Sequence, residues 1–525
     1  MQGTSGARRR TRSTLGLMLV ALSTIAFIAW PAAAEENTDL SKTVEALQIQ
    51  IQNLQKQLDA LKAAEAKRDA AVAAAQSSAQ ASAQAAAQAK KTANFERGTL
   101  TTNHVKLTVG GFIEAASIWR SRNQTADVGS SYNTGIPFPN SPNYNLSEFR
   151  ESARQSRLSL LAQGSVNDNI DLAAYFESDF LGVGTASNSL ESNSYTPRLR
   201  VAYATVDLKD SGWHFLGGQA WSLLTQNKIG IEPRQENIPP TIDAQYVVGF
   251  NWTRNPGLRV VKDFPQHKLA AGLSVESPQA NVFIGPNKPL VTTTTTNPGG
   301  SLLNSLATHS TDFSPDVIGK LTWDPGWGHY EVYGIGRFFR DRADGHNNTT
   351  MGGGGGASAL LPLVPGKLEL TASFLYGTGI GRYGSAQLPD YTIDAFGNPS
   401  TITAFQGLVG LIGHPTKSWD LYAYAGTEQA ERTATFLGSQ GFGYGSPLYN
   451  NSGCLIEGST LCAQNTSGIW QATLGTWYNL YKGDFGMVRL GAQYSYTHRD
   501  IFSGIGGAPS TDDNMVFASF RYYPF

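Results

Sequence analysis

The sequence predicts an all-β transmembrane barrel of about sixteen antiparallel strands, preceded by an N-terminal α-helical coiled coil. Three observations lead there. Beyond residue 105, apolar and polar residues alternate with a period of two in segment after segment. Short turns and long loops follow one another between those segments. Charged residues are 15% of the chain, against about 25% in ordinary soluble proteins. Aromatics reach 10% and glycines number 56, a composition of strands and turns.

The N terminus reads as an export signal. Arg8, Arg9, Arg10 and Arg12 precede an apolar run from Leu15 to Trp30, and Ala32, Ala33 and Ala34 follow as a small-residue cleavage site, so residues 1–34 are assigned to a secretory signal peptide. The residues after the Arg cluster fit a twin-arginine signal poorly, which favours the general secretory route; an uncut run would be an inner-membrane anchor.

Residues 35–92 form the second unit. Leu40, Val44, Leu47, Ile51, Leu54, Leu58 and Leu61 step by four and three without a break, a heptad seam. With Val44, Ile51 and Leu58 at the a positions, every d position is Leu, a choice that leans towards two strands and leaves three open. After Leu61 the text turns to Ala and Gln, keeping helix propensity while losing large knobs. A periplasmic coiled-coil stalk is the expectation, with an amphipathic helix lying on a domain surface as the alternative.

Residues 93–525 are expected to be the barrel. Strands are placed near 105–119, 154–164, 170–180, 197–207, 213–221, 245–253, 267–276, 315–323, 329–339, 351–363, 367–377, 402–412, 418–426, 468–480, 485–497 and 514–525. Leu269, Ala271, Leu273 and Val275 share one face, and Leu172, Ala174, Phe176 and Phe180 another, each opposite polar partners. Links after even-numbered strands are tight, apart from a longer "TRNPGLRVVKDFPQ", and links after odd-numbered strands are generally long. That asymmetry, with an even strand count, is the pattern of a bacterial outer-membrane barrel with both termini at the periplasmic rim.

A barrel also gives the final segment "NMVFASFRYYPF" a partner. Its last strand is expected to pair with the first, Phe517 to Phe525 against Val105 to Ile113, which removes the free edge. Arg521 shares a face with Tyr523 and Phe525. Either the outward face is Val516, Ala518, Phe520 and Tyr522, or Arg521 lies near the rim and snorkels.

Four stretches carry a family resemblance: "RQSRLSL" from Arg154, "YFESDF" from Tyr175, "RLRVAY" from Arg198 and "GGQAWS" from Gly217. Behind a heptad-bearing N terminus, they resemble the DcaP-like porins of Gram-negative outer membranes. The resemblance implies a homotrimer of sixteen-stranded barrels with an N-terminal coiled coil. It also implies passage of small solutes, often anionic ones such as dicarboxylates. From Ser277 onward the match is architectural.

A pore needs a narrow place lined with fixed charge. Arg154, Arg157, Arg198 and Arg200 match the family motif and are candidates for a basic ladder, since guanidinium groups grip carboxylates in a bidentate manner. Arg198 and Arg200 are expected to face inward together, opposite Leu199, Val201 and Tyr203. Arg154 and Arg157 are three apart, so both face the lumen only if Arg154 lies in the loop. The loop from Ser222 adds Lys228, Glu232, Arg234 and Glu236. Glu177 and Asp179 line the same wall, and their pairing with the arginines as wall salt bridges is the competing reading.

Other signals exclude more than they assign. From residue 93 the chain holds 29 basic and 34 acidic side chains, which speaks against nucleic-acid binding. Cys454 and Cys462 are expected to form a small loop disulfide in an exported chain. The "MGGGGGASA" stretch lacks the Lys-Ser/Thr ending of a phosphate loop and reads as a thin strand at a subunit contact. No metal-ligand spacing among the eight His, no cofactor motif and no Ser, His and Asp grouping is present, so no enzyme is expected. The expected function is an outer-membrane porin for ion transport and passive diffusion of small hydrophilic solutes. Its expected partners are outer-membrane lipid, lipopolysaccharide and the barrel assembly machinery. A structural tether between outer membrane and cell wall, or a surface receptor using loop 427–467 with a plugged barrel, is the alternative.

Overall fold

The computed structural model describes residues 98–102, 105–182, 195–264, 268–291 and 313–525, together with positions 52, 55–56, 58–59, 62–64 and 66–70, which are helical. The chain divides into two units, residues 1–91 and 92–525. The signal segment 1–34 and most of the heptad seam lie outside the described residues. No helix among the described residues is long and apolar enough to cross a membrane, which says nothing of strands.

Sixteen long antiparallel strands make one closed sheet. They are β1 (Val105–Arg120), β2 (Arg157–Asn167), β3 (Ile170–Gly182), β4 (Thr196–Leu208), β5 (Trp213–Trp221), β6 (Arg254–Asp263), β7 (Leu269–Glu276) and β8 (Asp316–Trp323). The second half comprises β9 (His329–Ala343), β10 (His346–Val364), β11 (Leu368–Thr378), β12 (Thr403–Thr416), β13 (Trp419–Ala430), β14 (Thr466–Gly483), β15 (Gly486–Ile501) and β16 (Ser510–Tyr523). Each strand pairs with its sequence neighbours, and β16 pairs with β1, so no barrel edge is left open.

The two faces follow the period of two. Leu158, Leu160, Leu172, Phe176, Leu258, Leu273, Val409, Leu474 and Phe520 stand exposed on the outside, while Glu114, Lys320, Glu331, Arg337, Gln406 and Gln493 are buried inside. A water-soluble fold does the reverse; charge turned inward behind an apolar band is the solution for a wall facing lipid. Trp213, Trp323, Trp327, Trp419 and Phe485 are exposed near the turns of the terminal rim, as an aromatic girdle at a membrane interface would be.

Short turns at one rim and longer loops at the other follow the expected asymmetry. The long loops are L1 (121–156), L3 (222–253), L6 (379–402) and L7 (431–465); L2 denotes the link from β3 to β4 and L4 the link from β7 to β8. L5 (344–345) and L8 (502–509) are short. The "GGGGG" stretch is the middle of β10, paired on both sides, and forms no phosphate loop.

Four expectations need correction. Residues 245–253 are loop; the sixth strand is Arg254–Asp263, the stretch read as a long link. Pro256, which has no N–H to give a ladder, sits opposite Gln219 in it, and its own carbonyl accepts from Ser277 N. With that strand in place the one long link at the terminal rim disappears.

The closing register also differs. Ile113 to Arg120 oppose Tyr522 to Met515, whereas Val105 to Thr108 pair with the short strand Thr99–Thr102. The extra hairpin takes the lower half of β1, so β16 docks on its upper half. The outward face of β16 is Val516, Ala518, Phe520 and Tyr522, and Arg521 turns inward to Glu114 at 2.9 Å.

The second strand begins at Arg157 rather than Arg154. A separate strand, Glu148–Ser152, lies before it on β1, and residues 153–156 bend between the two. Finally, Val201 and Tyr203 face inward, because a bulge at Arg200 shifts the phase: Glu177 opposes Val201 while Ser178 opposes Leu199.

Candidate functional site

L3 crosses the bore. It leaves the wall at β5 and returns at β6, and its backbone reaches strands on the far side of the sixteen-stranded ring. Ile242 N donates to Gln493 Oε1 of β15 at 2.7 Å, Val248 N to Gln471 Oε1 of β14 at 3.1 Å and Gly249 N to Glu428 Oε1 of β13 at 2.8 Å. Pro240 O accepts from Trp477 Nε1 of β14 at 2.7 Å. Buried loop amides need partners, and inward-facing Gln and Glu side chains supply them. Gly249, at φ 87°, and Gly426 permit the approach: a Cβ on Gly426 would overlap the Val248 carbonyl oxygen.

L1 and L6 brace the crossing loop. Tyr132 OH donates to Tyr246 O at 2.9 Å, and Asp243 accepts from Ser130 N and Gln245 N. Burial pushes the Asp243 carboxyl above its ordinary value, more than Arg120 and these donors lower it. Glu428 also accepts from Ala386 N of L6 at 2.9 Å, so one buried carboxylate ties two loops to the wall.

Between L3 and the β2–β4 wall lies a cluster of arginines. Arg198 grips Asp179 through Nε and Nη2 at 3.0 and 2.8 Å. The bulged Arg200 reaches Asp179 at 2.7 Å and also bonds Glu177. Arg157 lies 3.8 Å from Glu177. At the head of β6, Arg254 stacks on the rings of Trp221 and Trp252, at 5.0 and 5.1 Å, with no carboxylate partner among the described residues. Its Nη1 is buried without a hydrogen bond.

Four guanidinium groups thus face two carboxylates. The excess registers on Tyr246, whose hydroxyl accepts from Arg200 at 3.4 Å. Burial raises a phenol, yet Arg200, Arg254 and Arg157 outweigh it and hold Tyr246 below the ordinary value. The local field is positive although the barrel region as a whole is mildly acidic.

Of the residues named from sequence, Arg157, Arg198, Arg200, Glu177 and Asp179 come together here. Arg154 stands apart, in the bend before β2, bonded to Asp127 at 3.0 Å and to the carbonyls of Phe180 and Gly182. Arg234 is exposed on L3, 5.8 Å from the ring of Tyr175, and lines a cavity of about 240 Å3 with Asp207, His214 and Asp263 near the terminal rim. Lys228 is exposed further along the loop. Cys454 and Cys462 are bonded to each other in L7, and Cys454 O accepts from Asn140 N of L1.

Sequence reasoning missed Arg254, Tyr246 and Trp252. Arg254 was hidden because Pro256 masked its strand; the alternation of Leu258 and Val260 against Arg259 and Val261 was the available signal. Tyr246 and Trp252 carry no local signal, since their roles arise only when L3 folds inward.

No family model matches the chain, and no curated protein is similar to it in sequence. Among solved structures it is similar to the outer membrane channel DcaP of Acinetobacter baumannii, with a TM-score of 0.58 and 17% identity over 81% of this chain and 99% of that one. Looser matches, too distant to inform this chain, are OmpF of Salmonella typhi in complex with daunomycin and an anion-selective porin from Comamonas acidovorans. OmpF has a TM-score of 0.44 and 9% identity over 81% of this chain and all of that one. The Comamonas porin has a TM-score of 0.43 and 10% identity over 80% and 99%. At this identity the likeness to the DcaP channel establishes the fold.

Proposed function

We propose that this chain is an outer-membrane porin for passive diffusion of small hydrophilic solutes, favouring organic anions such as dicarboxylates. One observation carries the preference: Arg157, Arg200 and Arg254 gather around Tyr246 with Arg198 beside them on the wall, and among the described residues their ion-pair partners are Glu177 and Asp179, with none for Arg254. A carboxylate passing between L3 and the β2–β4 wall gains charge-assisted hydrogen bonds there, while a cation meets repulsion. No covalent chemistry is required of the protein.

The closed barrel, the inward-turned charge and the likeness to the DcaP channel support an outer-membrane location. The same likeness, with the heptad seam, supports a homotrimer carrying a periplasmic coiled coil behind a cleaved signal peptide. Lipopolysaccharide and the barrel assembly machinery are the partners such a barrel needs.

Planar-bilayer recording tests the reading. Purified protein should insert and conduct, and under a salt gradient its reversal potential should show anion preference. Insertion without conductance at any voltage sinks the porin reading; conductance with cation preference sinks only the selectivity.

A further inference from the structure

We infer that the loop-lined mouth of the barrel carries a second binding site, built for an uncharged saccharide. A cavity of about 560 Å3 lies among L1, L3, L4, L6 and L7, within the range of roughly 300–1,000 Å3 typical of ligand pockets. Its lining differs in kind from the arginine cluster. Among the described residues Arg499 is its one charged residue, and that guanidinium is taken up by Thr466 Oγ1, Ile136 O and Gln464 O.

What the cavity offers instead is amide groups with valence to spare. Gln387 makes no side-chain hydrogen bond among the described residues, although its backbone oxygen accepts from Asn281. Asn133 uses its oxygen on Thr466 Oγ1 at 2.7 Å, and its NH2 is open among the described residues. Gln245 uses its NH2 on Ser385 O at 2.6 Å, and Gln464 its NH2 on Asn140 at 3.5 Å, and both oxygens are open among the described residues. Donors and acceptors mixed around one space suit vicinal hydroxyls, each of which both donates and accepts a hydrogen bond. Phe283, half-buried and packed edge to face on the buried Tyr444 at 4.8 Å, adds the apolar surface against which the C–H face of a sugar ring rests.

The backbone supports a role for the amides themselves. Gln387 and Gln464 both have φ near 54°, in the left-handed region. That backbone is strained for a residue with a Cβ, and glycine would relieve it. Two glutamines held in that conformation on opposite loops, both lining one cavity, indicate that their side chains matter more than local backbone comfort.

The double variant Gln387→Gly with Gln464→Gly tests this, because it removes both amides while easing the backbone. Full-length protein in a sugar-free amine-oxide detergent is titrated calorimetrically with maltotriose, and separately with a dextran too large to enter the bore. Wild type should bind maltotriose saturably in the millimolar range, and the double variant about tenfold more weakly with an equal or higher melting temperature. Equal binding of dextran assigns the site to the end of a surface polysaccharide, and its exclusion assigns it to a free sugar. Absence of saturable binding to wild type, or undiminished binding by the variant, overturns the inference. Neither result bears on anion passage, which is read from conductance.

Discussion

Arg254 rests its guanidinium 5.1 Å from the ring centre of Trp252, and it forms no ion pair among the described residues. Every other arginine of the cluster has Glu177 or Asp179 beside it. The lone cation is therefore expected to set the sign of the field between L3 and the β2–β4 wall. Arg254→Gln should lower the anion-to-cation permeability ratio by about threefold to tenfold, ~0.7–1.4 kcal/mol. Reversal potentials measure it; an unchanged ratio would place the selectivity elsewhere.

Arg198 and Arg200 should separate in their effect on stability. Arg200 is buried between two acids, and removing it leaves Asp179 and Glu177 under-compensated, so Arg200→Ala should cost about 3–5 kcal/mol. Arg198 is partly exposed, and Arg198→Ala should cost less than about 1 kcal/mol while leaving Asp179 its bond to Arg200. Chemical unfolding in detergent compares the two, and equal losses would contradict the placement of Arg200 in the bulge.

The closing seam can be locked. Ala116 and Ser519 lie directly opposite each other in the β1–β16 pairing. Ala116→Cys with Ser519→Cys should cross-link on oxidation and hold the barrel compact on a gel after heating. Cross-linking of Ile113 with Phe517 instead would favour the register expected from sequence alone.

L3 docks because the wall behind it is bare. Gly426→Val should push Val248 off the β12–β13 wall, raising single-channel conductance and lowering the melting temperature by about one to two degrees, as about 1–2 kcal/mol of lost docking would. Unaltered conductance would mean that L3 does not set the width of the bore.

Acid should tighten the loop. Burial holds the Asp243 carboxyl above the ordinary value of 3.8, so the folded protein keeps this proton to higher pH than the unfolded chain does. Its contribution is complete below that ordinary value and is lost as pH rises through the folded one. Proteolysis within L3 should therefore slow as pH falls from neutrality, and Asp243→Asn should flatten the dependence. Faster cleavage of wild type in acid would reverse the sign.

Much of the barrel was legible because its two-faced strands obey a local rule. Leu273 and Leu490 face outward while Ser274 and Gln493 face inward, and the period of two alone separates them. The rule failed where the chain broke it. Pro256 hid a strand that the neighbouring pairings of β5 and β7 hold in place, and the bulge at Arg200 reversed the faces of Val201 and Tyr203. The candidate site was legible only on its wall side, where Arg157, Arg198, Glu177 and Asp179 project from strands of readable phase.

By itself the sequence determined that the chain makes two-faced strands joined by alternating short and long links, and that arginines and acids share one stretch of wall. Its alternation and turn residues act over a few neighbours, so they are visible without a fold. Only the tertiary structure decided which arginine is left without an acid, where L3 crosses and which loops enclose the mouth. Those outcomes depend on groups such as Val248 and Gln471, more than two hundred residues apart in the chain, meeting across the bore.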